Sequence, residues 1–375
     1  MATFIDFHII QTLPPSNINR DDTGSPKSAM YGGVRRARVS SQAWKRATRR
    51  DFEDIVDESH LSYRTKRVIE LLTERILTRT GESVDDAAAL AAANARAAKV
   101  ITALGMKIEK ARPKKDAEPG PEQAGQSEYL LFISSTQADR LADLAAAEGE
   151  LDKKAVKEVM KGGNGIDIAL FGRMVANAAD INVDASVQVA HALSTHAVDT
   201  EDDYYTAVDD RNPAEDTGAG MIGTVEFSSS TLYRFASINV DGLAANLGSA
   251  EAAGEAAAAF TKAFTTSMPT GKQNSHGNRT LPDGVIVMVR DTQPVNLVGA
   301  FEKPVVSQQG GYVQQSCERL VAYANGLLDD FGAEPQQAWV TRGPNAEALD
   351  DLGQRVNLSE LVDAVRATAT ERARL

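Results

Sequence analysis

The chain has 375 residues, room for two to three domains at ~150 residues each, and its 42% hydrophobic and 25% charged residues exclude wholesale disorder. No apolar run approaches the ~18 residues of a membrane span, the N-terminus lacks the features of a secretory leader, and a single cysteine, Cys317, excludes an intrachain disulfide framework and any Cys-cluster metal site, so a cytoplasmic location is expected. The net charge of −12 argues against a polyanionic partner until it is divided along the chain: residues 16–50 hold nine Lys or Arg and two Asp, +7 there and −19 elsewhere.

Residues 3–12, TFIDFHIIQT, predict an opening strand, which the prolines of LPPSN should end. Residues 16–40, punctuated by Gly24, Pro26, Gly32 and Gly33, read as a long basic loop; loops of such length in compact domains are commonly functional. Ser40 or Ser41 is placed to cap the helix SQAWKRATRRDFEDI. Ala43, Trp44, Ala47, Phe52 and Ile55 share its inner side, leaving Lys45, Arg46, Arg49 and Arg50 as a cationic stripe. Residues 61–109 are helical in composition, and the alanines from 87 to 98 suit thin, closely packed helices. Residues 110–128 read as an exposed loop, 129–135 as a buried strand, and the pattern through 161 as helical until Gly162, Gly163 and Gly165 end it.

From Ile166 helix and strand alternate: a strand over TVEFSSSTLYRFASINV, a helical region at 243–267, a loop at 269–283, a strand at 285–291, a helix at 317–331 and a closing amphipathic helix. Strands near 4–11, 225–240 and 285–291 with helices between them predict an α+β sheet domain carrying one helical insertion at about 60–180.

Most apparent motifs lack the context their chemistry needs. Gly218–Gly223 spells G-x-G-x-x-G, yet an acidic run precedes it and a strand follows, the reverse of a phosphate-binding turn, so a flexible hinge is expected instead. Of the five histidines, His191 and His196 are five apart and do not stack on one helical face. No metal site, cofactor or catalytic constellation is therefore expected. The stretch 199–216 holds eight acids against Arg211 and embeds Tyr204 and Tyr205: either a solvated loop or an arm whose aromatics dock, on a neighbouring copy or on bases. Lys154, Lys157 and Lys161 share a helix face with Lys153 beside them, which is either a solubilising face or a second nucleic-acid track.

The segment QTLPPSNINRDDTGSPKSAMYGGVRRARVSSQAWKRATRR resembles the N-terminal signature of the CasC (Cse-four/Cas-seven) backbone-subunit family of type I-E CRISPR Cascade complexes. Further agreement lies at GIDIALFGRM, YTAVDD, GTVEFSSSTLYRFASINV and AFEKPV. The resemblance implies an RRM-like (ferredoxin-like) palm over 1–58 and 180–375, a helical fingers insertion at 59–179 and a protruding thumb loop at 197–224. It implies a non-catalytic subunit that lines up in copies along CRISPR RNA, kinks it at regular intervals and presents it to target DNA in antiviral defence. Its partners would be adjacent copies, the large, small and 5′-handle subunits, the RNA-processing endonuclease subunit and a recruited nuclease-helicase, with no membrane contact. By the same resemblance Arg20, Lys27, Ser40, Gln42, Lys45, Arg46, Arg49, Met174, Tyr205, Lys272 and Gln273 would face RNA, and Lys153, Lys154, Lys157 and Lys161 target DNA. Asp21 and Asp22 are expected to hold Arg20. The competing expectation is a metal-dependent ribonuclease that cuts target RNA at the palm loop, using those aspartates and the acids of the thumb.

Overall fold

The computed structural model describes residues 2–109, 124–147, 149–207, 221–307 and 310–374. It divides into two compact units, Met1–Asp51 with Gln188–Asn239 and Ala257–Thr368, and Phe52–Val187 with Val240–Ala256 and Ala369–Leu375.

The first unit is built on one large sheet. Strand Phe4–Ser16 is central, antiparallel to Met221–Asn239 on one side and to Gly284–Arg290 on the other. Beyond Gly284–Arg290 lie Gln337–Arg342 and Gln354–Arg355; beyond Met221–Asn239 lie Ala192–Ser194, Val34–Val39 and Ser28–Tyr31. Ile5, Phe7 and Ile9 alternate with Asp6, His8 and Ile10, and all six are buried, so both sheet faces are covered. On one face Phe7 meets Phe260 and Phe264 edge-on at 5.4 and 6.3 Å between centroids. On the other, Ile10, Tyr233, Ile286, Leu320, Val340 and Leu349 belong to a single core.

Residues 16–40 are not an open loop. The first strand runs through its prolines to Ser16, with a register shift between Leu13 and Ser16 that spares the ladder their missing N–H groups. After a turn, Ser28–Tyr31 and Val34–Val39 form a hairpin closed by Gly32 and Gly33, both at positive φ (59° and 79°). A Cβ on Gly32 would stand 1.6 Å from the Glu302 carbonyl oxygen, so no other residue fits there.

The second unit packs helices Val68–Thr80, Ala87–Ala103, Ser135–Ala146 and Lys153–Lys161. Ala89, Ala93 and Ala97, one turn apart, are buried in the core shared by these helices, where small side chains allow close approach. Ser62–Thr65 is a strand paired with Leu131–Ser134, although its surroundings read as helical. The expected 110–128 loop lies mostly outside the described residues; Gln126–Ser127 pairs with Ile108–Glu109. The expected helical region at 243–267 is two helices, Val240–Leu247 and Ala250–Thr266, parted at Gly248. Among the described residues no helix is long and apolar enough to cross a membrane.

Titratable groups lie inside the sheet of the first unit. Arg290 Nε donates to Asp6 Oδ2 at 3.1 Å, the Val295 N–H donates to the same oxygen at 2.9 Å, and His8 Nδ1 lies 2.9 Å from the Tyr233 hydroxyl. Burial pushes Asp6 up to about 6, and burial with the nearby Arg290 charge pushes His8 down to about 3. His8 therefore contributes stability that is complete above its unfolded value of 6.5 and is lost as pH falls toward about 3. Asp6 acts oppositely, contributing most below 3.8 and losing that contribution as pH rises through about 6. His8→Gln should keep a larger share of its pH 7 stability at pH 5 than the parent chain, read from denaturant midpoints. An equal loss would place the acid sensitivity elsewhere.

Candidate nucleic-acid interface

The basic helix spans Ser41–Asp51 and is docked by Trp44, which is fully buried. The Arg234 guanidinium lies 3.7 Å from the centre of the Trp44 ring and 4.4 Å from that of Phe264. Its Nη1 donates to Gln11 Oε1 at 2.6 Å and its Nη2 to the Phe264 carbonyl, while burial pushes its pKa down to about 9. Thr48, one turn after Trp44, is also buried, and Asp51 accepts from the Thr266 hydroxyl at 3.1 Å. With that face committed, Gln42, Arg46 and Arg50 are exposed, and Lys45 and Arg49 are half-buried along its borders. Burial lowers the Lys45 ammonium below its ordinary range.

Ser40 is the N-cap. It is buried, and its Oγ accepts from the Ala43 N–H at 3.3 Å, which uses an acceptor position of the hydroxyl and not its proton. From it a short series of hydrogen bonds orders the segment that carries the other candidates. Asn19 Oδ1 accepts from the Ser40 N–H at 2.8 Å, the Asn19 carbonyl accepts from the Lys27 N–H, and the Lys27 carbonyl accepts from the Arg38 N–H, both at 2.9 Å. Asn17 Nδ2 donates to the Gly24 and Glu226 carbonyls at 2.9 Å each. A Cβ on Gly271 would come within 2.4 Å of the Ile18 carbonyl oxygen, so the loop bearing Lys272 and Gln273 lies against the same segment. Arg20, Lys27, Ser40, Gln42, Lys45, Arg46, Arg49, Lys272 and Gln273 are thus linked through one short run of contacts in the first unit.

Two expectations for this region change. Arg36 was counted in the basic window, but it is buried and its guanidinium donates to the carbonyls of Tyr31, Ser194, Phe301 and Glu302 at 2.7–3.3 Å. It clamps the hairpin and is not offered to a ligand. Asp21 does not hold Arg20: its Oδ1 accepts from Thr23 N, the Thr23 hydroxyl and Ser25 N, closing its own turn. The Thr23 hydroxyl bond, with the backbone bonds behind it, holds the Asp21 carboxyl below the usual range. Among the described residues no group of three His, Cys, Asp or Glu could hold a metal ion.

The acidic stretch begins as a strand rather than a loop. Glu201–Ala207 pairs with Met221–Phe227, placing Tyr205 opposite Gly223. A Cβ on Gly223 would lie 2.5 Å from the Tyr205 ring, so this glycine serves the close approach of that ring, not a hinge. Tyr204 is 63% and Tyr205 39% exposed. Gly218 and Gly220, with the rest of 208–220, lie outside the described residues.

The remaining candidates belong to the second unit. Met174 is 85% exposed, directly after the buried Arg173. Lys157 pairs with Asp180 at 2.8 Å and Lys161 with Glu158 at 2.6 Å, whereas no ion pair engages Lys153 or Lys154 among the described residues. Sequence reasoning passed over Arg35, which is exposed, and Arg38, which is half-exposed with Nε donating to the Ser28 carbonyl at 3.2 Å. A reading of 34–39 as a strand would have separated exposed Arg35 from buried Arg36 by period-two alternation.

The sequence profile of the family described as CT1975-like protein matches residues 5–364. No curated protein sequence matches the chain. Among solved structures it is similar to a chain of a "CRISPR RNA-guided surveillance complex, pre-nicking", at 36% identity and a TM-score of 0.82, covering 98% of this chain and 100% of that one. It is also similar to a chain of a "CRISPR RNA-guided surveillance complex", at 31% identity and a TM-score of 0.72, covering 97% and 99%.

Lys272 is the sole non-glycine residue at positive φ among the described residues, with φ 51° and ψ 22°. A side chain in this left-handed region costs roughly 1–2 kcal/mol. Lys272→Gly should raise stability by on the order of 1 kcal/mol and Lys272→Ala should not. Equal midpoints for the two variants in denaturant would mean that the strain is not there.

Proposed function

The chain belongs to the CT1975-like protein family, and from that membership we propose that it is a non-catalytic CRISPR RNA-binding backbone subunit of a Cascade surveillance complex of type I-E. The observation that carries this reading is the full-length similarity to a chain of a CRISPR RNA-guided surveillance complex, joined to a basic helix and an ordered basic segment on one unit. The antiparallel order Gly284–Arg290, Phe4–Ser16, Met221–Asn239, Ala192–Ser194 supports an RRM-like palm. The helical segment within Phe52–Val187 would be the fingers and the ribbon around Tyr205 the thumb.

In this role Lys27, Lys45, Arg46 and their neighbours neutralise phosphates without reading bases, as a carrier of arbitrary guide sequences requires. Tyr205 would stack on a base at the kink, worth roughly 1–3 kcal/mol, and Met174 would wedge beside it. Lys153 and Lys154 suit a contact to target DNA; Lys157 and Lys161 would first have to leave Asp180 and Glu158. Adjacent copies, the other Cascade subunits and a recruited nuclease-helicase complete the assembly in the cytoplasm. The ribonuclease alternative would need Asp21 to give up the turn that it closes.

Native mass spectrometry of the chain purified with partner subunits and CRISPR RNAs of increasing spacer length should show its copy number rising in steps. A fixed copy number, or no RNA, would overturn the reading. Lys45→Ala should weaken RNA binding alike for all spacer sequences and reduce the magnitude of the salt slope by roughly 0.7. A loss confined to some sequences would assign Lys45 to base readout instead.

A further inference from the structure

We propose that His191 is a neutral hydrogen-bond donor of the RNA track, holding a backbone phosphate oxygen through Nε2 beside Lys27 and Arg38; the proposal rests on the RNA-binding reading above. The sheet brings it there. Ala192 pairs with Val39 and Leu193 with Arg38, which sets His191 against the start of the basic helix. The Ser41 N–H donates to His191 Nδ1 at 3.1 Å. A backbone amide can only donate, so Nδ1 must be the acceptor and the ring proton resides on Nε2. The tautomer is thereby fixed by the backbone and does not depend on solvent.

His191 is exposed, and among the described residues the hydrogen bond of its ring is the one that Nδ1 accepts from Ser41. Desolvation, with the positive charges of Arg38 and Lys27 close by, lowers its pKa from the ordinary value, and the Ser41 N–H on Nδ1 leaves that nitrogen no place for a second proton. A fixed N–H directed away from its own cap suits an acceptor oxygen, and the Arg38 and Lys27 charges beside it favour an anionic one. The histidine then adds direction where lysines add only charge. One residue performs both tasks: Nδ1 satisfies a helix N-terminus while Nε2 reaches outward.

The two ring nitrogens can be separated by substitution. In His191→Asn, Oδ1 can still accept from the Ser41 N–H but the reaching donor is gone; His191→Gln extends an amide N–H toward the Nε2 position. The test is binding of the full-length chain to a fluorescent single-stranded CRISPR RNA across a salt series. His191→Asn should bind about 2–10-fold more weakly with the same salt slope as the parent, because no counterion-releasing charge is lost, and His191→Gln should recover most of that affinity. Parent-like binding by His191→Asn would overturn the proposal alone. A salt slope shallower by about 0.7 would also overturn it, since His191 would then act as a cation. Absence of RNA binding by the parent chain would overturn the RNA-binding reading, and the proposal with it.

Discussion

The placement of the basic surface depends on the Arg234 guanidinium sandwiched between Trp44 and Phe264. A helix with Lys45, Arg46, Arg49 and Arg50 has little apolar surface with which to dock, and Trp44 is its one large buried side chain. Stacking that indole on an arginine rather than on an aliphatic residue carries a cost, because a fully buried cation needs compensation. Here two aromatic faces, the Gln11 amide oxygen and the Phe264 carbonyl supply it without a carboxylate. A carboxylate at that point would have neutralised the cationic stripe from behind. The pair thus fixes which residues of the helix face inward while leaving its outer charge intact.

The same economy recurs through the interior. Arg36, Arg173, Arg234 and Arg290 are all buried, and Arg290 alone is matched to a carboxylate, Asp6. Arg36 serves four backbone carbonyls; Arg173 serves those of Ile181, Phe132 and Met160 together with Gln137. The planar five-donor fork of arginine lets one side chain satisfy several carbonyls where strands and turns meet, a task lysine performs poorly. A charge count cannot distinguish these arginines from those at a surface. The +7 of residues 16–50 includes Arg36, a structural clamp, alongside groups that can meet a ligand.

The parts of the fold legible in the sequence were those whose signal is local. The run Val285–Val289 and the alternation of Ile5, Phe7 and Ile9 identify the central strands, and the four-residue spacing of Ala89, Ala93 and Ala97 identifies a packed helix. The basic helix was legible too, with its cap narrowed to Ser40 or Ser41. What escaped depends on partners distant in sequence. The Ser28–Val39 hairpin hid behind glycines and charges, Ser62–Thr65 needs Leu131–Ser134, and Gln337–Arg342 exists as a strand because Gly284–Arg290 pairs with it. Gly223 shows the limit most plainly. Its place between an acidic run and a strand suggested a hinge, whereas its conformational reason is the Tyr205 ring across the ladder.

That ladder explains why an exposed ribbon can still place an aromatic side chain with precision. A two-stranded ribbon with little cover is marginal in water and free to slip by itself. Here Met221–Asn239 is a single strand whose second half is locked in the core, paired from Phe4↔Asn239 to Ser16↔Ser228, and whose first half pairs at once with the arm from Glu201↔Phe227 to Ala207↔Met221. Met221–Phe227 is exposed or half-exposed, so its direction and pleat come from the buried second half of the same strand. The backbone that presents Gly223 to Tyr205 is therefore oriented inside the sheet and carried outward along one continuous strand. The arm's two faces mix acids with apolar groups, with Glu201, Asp203, Tyr205, Met221, Val225 and Phe227 on one and Asp202, Tyr204, Thr206, Ile222, Thr224 and Glu226 on the other. Each face thus carries one tyrosine, and the Tyr205 face alone sets a glycine opposite its ring.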